Sequence, residues 1–547
     1  MWQTFKKISS ILVFFEKYKL ILLIAALTFG ALLELLGVTV VFPILANQLI
    51  NSHSNALLNF ENNMHVFALI MAIICLGLAR LATYYIINRF SLMLEAKIAI
   101  EFMGHLSKKN YLFLMRLNKS DIGKNIIYEV NYFIGNAVTP LLNIFSAFIA
   151  LLVILTGLLF AHFKFTIFSI IIFGIFYISV YFSGRRYLYK LGLIRFDANE
   201  KRNHVIYEFF SNIEHVIVTN RFAYWLKKFD FYAKINAKTQ VKSQLMALAP
   251  RYIVESLILI LLAIMFVFTK RLNLDFEVEG LLVLGFSAMR ILPLFQQLYH
   301  SLASLNFTKA NIDYMTLQVA DMKEDEVSIK TPTIFRHSIE LSNVHFKFLD
   351  STQPVLSGVT AVLNLGETVL IDGVSGSGKS TFARILAGLI VPDEAIIRID
   401  GKPLRDISAY SPSVSYLGQD NLIYSGTIRQ NITNFSEDCE VDEERLRNAL
   451  KQSCALQFVD ALENKCETFI GMGGLSLSGG QVQRLLIART LYENTIIKIF
   501  DEATNSVEVE VEEQIIENLN KRYDEILVFI THNERLKSKF RNSIQIG

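Results

Sequence analysis

Charge is scarce in this chain of 547 residues: Asp, Glu, Lys and Arg together make up 19%, and prolines number 9, cysteines 4 and tryptophans 2. Each shortage removes a class of answer. A net charge of +3 over this length gives no general electrostatic case for a nucleic-acid partner, and none is expected. Cys75, Cys439, Cys454 and Cys466 form no C-x-x-C and no Cys/His spacing, which argues against a zinc module or disulfide framework and fits reduced thiols. Residues 47–63 contain no Lys or Arg at all. A cleavable signal is missing too, because the first apolar run, from about Tyr18, is far longer than a signal h-region and lacks an A-x-A site.

What the chain has instead is apolar residues, 52% of the total, with a positive mean hydropathy. Runs of roughly the 20 apolar residues needed to cross a hydrocarbon core occur at 18–46, 64–88, 136–161, 165–184, 247–269 and 280–304. These predict six membrane helices within a domain 1–320. The intervening stretches 91–135 and 185–242 are rich in Lys and Arg, so the positive-inside rule puts both, and both termini, in the cytosol. With few Gly or Pro, they read as membrane helices prolonged beyond the bilayer, with tips at 118–123 and 219–224. The outer loop 47–63 could form a short amphipathic helix or a solvent loop.

A charged linker, 321–333, is followed by a domain at 334–547 in which β-branched strands at 368–371, 413–417, 496–500 and 526–530 alternate with helical stretches. This is the pattern of an α/β fold. Lys498, inside one of those strands, is expected to snorkel toward solvent.

Gly373, Val374, Ser375, Gly376, Ser377, Gly378, Lys379 and Ser380 fit G-x-x-x-x-G-K-S, placed after a strand and followed by Thr381 at a helix start. Backbone N–H groups of such a loop wrap a nucleotide's β-phosphate, Lys379 reaches the β- and γ-phosphates, and Ser380 ligates Mg2+. The strand 496–500 ends in Asp501 and Glu502, suited to holding the magnesium and polarising an attacking water. A parallel sheet brings the two strand ends to one edge.

Leu477, Ser478, Gly479, Gly480 and Gln481, ahead of a helical run, resemble the signature sequence of the ABC superfamily. The other elements follow the family's order: Phe348 at the aromatic stacking position, Gln419 at the Q-loop, Gly471 to Gly474 before the signature, and His532 after the last strand. The resemblance implies a six-helix transmembrane domain followed by an α/β P-loop ABC ATPase domain, with ATP and Mg2+ as cofactors. It further implies Glu502, His532 and Gln419 as catalytic residues, Gln419 with Ser380 and Asp501 at the metal, and a homodimer in which each signature acts in trans. The tips at 118–123 and 219–224 resemble coupling helices. One segment departs from the pattern: Asn505, Ser506, Val507 and Glu508 stand where the family commonly has Ser-Ala-Leu-Asp, which puts communication between the two ATP sites in question.

Charges inside the expected spans bear on the cargo. Glu34, Arg80, Arg251, Glu255 and Arg290 are costly in lipid unless each meets a partner or a wet cavity. Arg80 with Glu34, and Arg251 with Glu255 one turn on, make structural pairs; Arg290, three residues before Pro293, has no evident acidic partner. Arg80, Arg251 and Arg290 could instead grip an anionic headgroup. Residues 33–43, the Arg80 helix, 249–251 and 289–293 look like the bacterial flippases for lipid-linked oligosaccharides, whose substrates carry a pyrophosphate. A further basic residue common in those flippases after the last proline is replaced here by Gln296 and Gln297. The resemblance implies a multi-pass protein of the bacterial inner membrane; export of a peptide or another amphiphilic compound is the alternative.

Overall fold

The computed structural model describes residues 2–50, 60–116, 123–161, 163–272, 278–324, 336–349, 351–404, 413–419, 422–437, 440–520 and 524–547. They form two compact units, Met1–Lys108 with Leu117–Glu326, and Lys109–Arg116 with Val327–Gly547.

The first unit is helical. Its long elements are Trp2–Ile50, Phe60–Leu106, Thr139–Ala161, Phe163–Ser211, Phe222–Leu272 and Val278–Phe307. A helix of 49 residues, such as Phe163–Ser211, runs roughly 74 Å at about 1.5 Å per residue. That is more than twice a hydrocarbon core of about 30 Å, so such a helix continues well past the apolar run that defines it. Among the described residues, Ile127–Thr156 and Phe222–Ile260 have both the length and the apolarity to cross a membrane. Large apolar side chains such as Leu22, Phe29, Leu81, Ile175, Ile178 and Leu259 point outward, the reverse of a water-soluble bundle.

Several polar groups inside this unit are paired. The first helix breaks at Glu16 (φ −148°, ψ 52°), and Lys97 Nζ donates to Phe15 O at 2.7 Å and stands 3.3 Å from the Glu16 carboxylate. Residues Lys124–Glu129 and Ile134–Val138 wind as wider π turns. Glu129, at the first of them, is completely buried and accepts from Asn199 at 3.2 Å and Asn311 at 2.5 Å. Arg202 in turn donates to Asn199 Oδ1 at 2.7 Å, and the buried Arg195 guanidinium lies 3.5 Å from the centre of the Tyr132 ring. Helices approach closely elsewhere: a Cβ on Gly192 would sit 1.9 Å from Phe307 O, so only glycine fits.

The second unit holds two main sheets. Four antiparallel strands run in the order Leu356–Asn364, Ser338–Phe346, Glu394–Ile399, Lys402–Pro403. Five parallel strands run in the order Asn542–Gln545, Thr368–Asp372, Ile526–Ile530, Ile497–Asp501, Val414–Leu417. Every residue of Ile497–Asp501 and Ile526–Ile530 is buried, as expected for parallel strands covered on both faces.

That coverage corrects the expectation for Lys498. The side chain does not snorkel: it is fully buried, donating to Glu493 O at 2.7 Å and Thr495 Oγ1 at 3.1 Å, with the Glu525 carboxylate 3.7 Å away. No path to water exists through a sheet packed on both sides, so the ammonium is satisfied internally.

The structure describes the second of the two expected tips. Of the first, 118–122 lie outside the described residues. The segment that joins the nucleotide unit is the short helix Tyr111–Arg116, whose Tyr111 and Leu112 pack on its apolar core. The second tip is a tight turn at Thr219 and Asn220 between Ile213–Val218 and Phe222–Leu272.

Candidate active site

All the catalytic candidates stand at the carboxyl ends of the parallel strands, where such sheets hold their ligands. Thr368–Asp372 delivers the phosphate loop, Val414–Leu417 delivers Gln419, Ile497–Asp501 ends in Asp501 and Glu502, and Ile526–Ile530 leads to His532.

The phosphate loop turns into the helix Lys379–Leu386 through Gly378, in left-handed backbone at φ 99°. A Cβ there would stand 2.8 Å from Leu356 Cδ2 and 3.0 Å from Val355 O, so glycine is needed for both space and conformation. No side chain caps this helix, which leaves its first N–H groups for an anion. The buried Ser377 Oγ has no hydrogen-bond partner, and the buried Lys379 ammonium donates to the loop's own Gly373 O and Val374 O at 2.8 and 2.9 Å. Unused donors around a buried cation fit a nucleotide's phosphates.

Ser380 Oγ donates to Asp501 Oδ1 at 3.1 Å, placing a hydroxyl beside a buried carboxylate. Hard oxygen ligands of this kind, few in number and completed by phosphates and water, suit Mg2+. The arrangement has a participant the sequence reading missed: Tyr416, whose hydroxyl donates to Asp501 Oδ2 at 2.8 Å. Burial pushes Asp501 above the usual carboxylate range, with the Tyr416 and Ser380 hydrogen bonds pulling the other way. Burial, then the Asp501 charge, raises Tyr416 well above an ordinary phenol. The available signal was a tyrosine three residues before Gln419 on a strand beside the Asp501 strand; its value depends on the register, which pairs Tyr416 with Ile499.

Glu502 sits in left-handed backbone, φ 53°, which turns its side chain out of the strand line. Its Oε1 is 3.2 Å from His532 Nε2, and its Oε2 accepts from Gln419 Nε2 at 3.1 Å. The three expected catalytic residues are therefore in direct contact. Asp372, just before the loop, is held below the usual carboxylate range by Lys537 at 2.9 Å and by the Gly373 N–H.

Two site candidates engage neighbours of their own. Phe348 packs edge-on against Phe346, centroids 4.9 Å apart. Ser478 caps the helix Gly479–Tyr492 and forms a reciprocal capping box with Gln481, while Leu477 packs on the adjacent core. That cap fixes Gly479 and Gly480 at a helix N-terminus, the end suited to an anion. Among the cavity arginines, Arg251 pairs with Glu255 at 2.7 Å, as the sequence suggested. Arg80 is exposed; the side chains of Glu34 and Arg290 lie outside the described residues.

A phosphate loop, a metal corner and a carboxylate base on adjacent parallel strands define a P-loop ATPase domain. Residues 356–505, within this domain, match the family described as "ABC transporter". The chain is 39% identical over 179 residues to an ATP-dependent lipid A-core flippase of Saccharophagus degradans, covering 32% of this chain and 30% of that protein. It is 28% identical over 453 residues to the putative multidrug export ATP-binding/permease protein YgaD of Bacillus subtilis, covering 79% and 75%. The fold is similar to that of a bacterial Atm1-family ABC exporter solved with ATP bound, at a TM-score of 0.75 and 20% identity, over 96% of this chain and 93% of that one. The chain spans less than a third of the length of the first of these relatives and three quarters of the second. In fold the chain is similar to an ABC exporter, with a helical region followed by one ATPase domain.

Proposed function

We propose that the protein is an ATP-driven exporter or flippase acting as a homodimer in the bacterial inner membrane, with its ATPase domain in the cytosol. The observation that carries this reading is the meeting of Gln419, Glu502 and His532 beside Ser380 and Asp501, in a chain that also exposes apolar helices. Lys379 and the loop N–H groups bind the phosphates, Ser380 and Asp501 hold magnesium, and Glu502, steadied by His532, orients the attacking water. Held by these residues, magnesium would supply charge neutralisation at the phosphates. The chain has one P-loop and one signature, and in the family each signature completes the other subunit's site, so two identical copies suffice.

The cargo we infer is a polyprenyl-pyrophosphate-linked saccharide. Its support is the set of arginines in the helical unit. Arg251 keeps 47% of its side chain exposed while bound to Glu255, and guanidinium groups grip phosphates bidentately. An amphiphilic compound is the second reading, favoured by the relative whose match extends over most of its length, a putative multidrug exporter.

The test is flipping of a fluorescent pyrophosphate-linked sugar in proteoliposomes, beside an amphiphilic dye. ATP-dependent movement of the sugar is expected, with Arg290→Gln keeping its fold and basal ATPase but losing transport, and Arg251→Gln impaired less cleanly because Glu255 loses its partner. Undiminished sugar transport by Arg290→Gln, or movement of the dye alone, rejects the pyrophosphate reading.

A further inference from the structure

The segment Asn505 to Glu508, where the chain departs from the family pattern, carries contacts that give the departure a purpose. Asn505 Nδ2 donates to Glu502 Oε2 at 2.8 Å, the same oxygen that accepts from Gln419. Next to it, the Ser506 N–H donates to Gln483 Oε1 at 2.7 Å, and a Cβ on Gly480 would stand 2.9 Å from Ser506 O. The loop that presents Asn505 is thus clamped to the signature helix Gly479–Tyr492 of the same subunit. A serine at 505 would end one bond beyond Cβ, whereas the asparagine amide reaches a bond further and spans the gap.

We propose that Asn505 is a positioning residue for Glu502, fixing which carboxylate oxygen meets the attacking water. The proposal rests on the ATPase reading above. A carboxylate oxygen offers two lone pairs. Both on Oε2 are engaged, by Gln419 and Asn505, while among the described residues Oε1 meets His532 alone and keeps one for water. Because Glu502 leaves its strand from left-handed backbone, neighbouring side chains set its direction. Asn505 therefore links the aim of the base to the signature helix through one short loop.

The test uses full-length protein in nanodiscs and measures kcat and KM for ATP with thermal midpoints, for wild type, Glu502→Gln, Asn505→Ala and Asn505→Asp. Removing a donor to an ionised group predicts a kcat about tenfold lower for Asn505→Ala, with KM and midpoint unchanged. Asn505→Asp keeps the shape but sets one carboxylate against another, predicting a loss of about a hundredfold. A merely structural side chain gives the opposite order, because the isostere packs better than alanine. Asn505→Asp at or above Asn505→Ala, Asn505→Ala within about twofold of wild type, or a fall in midpoint matching the fall in kcat overturns the proposal. Wild type with no more turnover than Glu502→Gln overturns the ATPase reading itself, and this inference with it.

Discussion

The helical unit and the nucleotide unit both bury charge, but for different ends. In the helical unit Glu129 lies among Asn199 and Asn311 with no chemistry to perform, and its apolar side chains cover the outside. In the nucleotide unit apolar side chains fill both faces of a parallel sheet, and the buried charges Lys379 and Asp501 sit at the sheet's working edge with their partners only partly chosen. Satisfied buried polar groups hold a fold together; buried groups with unused donors wait for a ligand. Lys498 is the instructive crossover, a buried charge in the nucleotide unit that is satisfied like Glu129.

Substitutions separate the two kinds. The largest effect belongs to Lys379→Ala, which deletes the phosphate counter-charge and should lower ATP turnover by at least about a hundredfold without lowering the thermal midpoint. Loss of midpoint with retained turnover would place Lys379 among the structural charges. Glu129→Ala is the mirror case: orphaning Asn199 and Asn311 should cost on the order of 3 kcal/mol of stability in detergent, with Glu129→Gln costing much less. Thermal shift beside ATPase rate per folded molecule checks this, and an unchanged midpoint breaks the comparison.

Lys498→Ala should cost about 2 kcal/mol by leaving a cavity and taking the ammonium from Glu493 O and the Glu525 carboxylate, whereas Lys498→Met should recover part of that. Equal midpoints for both variants would mean that the ammonium's hydrogen bonds outweigh its packing. Smallest is Asp501→Asn. Because burial raises the Asp501 pKa, its contribution to stability is present at low pH and lost as pH rises through the folded value. At neutral pH the nucleotide-free variant should be more stable by roughly 1 kcal/mol, though inactive, with the gain shrinking as pH falls. Melting curves taken upward from the ordinary carboxylate range, about pH 4, to about pH 8 read the trend, and a gain that grows on acidification contradicts the sign.

Much of this was legible in the chain. The strands behind the phosphate loop, Gln419, Asp501 and His532 stand within a residue or so of where β-branched runs put them, because an all-buried parallel strand needs a continuous apolar run. Tyr416 was not legible as a site residue, since its role depends on which strand lies beside it, and Asn505, marked in the sequence only as a departure, depends on how its own loop folds back to Glu502. Lys498 was misread because a lone lysine in an apolar strand says nothing about whether both faces are covered.

By itself the sequence determined the class of protein: motif spacing is a local property, and a P-loop, a signature and long apolar runs carry their chemistry wherever the chain goes. Only the tertiary structure decided how Glu502 is held, with Gln419, Asn505 and His532 converging on its two oxygens from three loops. It also decided that Tyr111–Arg116 is the segment packed into the nucleotide unit. The Gln419 and His532 contacts join residues far apart in the chain, and their geometry is fixed by strand order and packing, which no local pattern encodes.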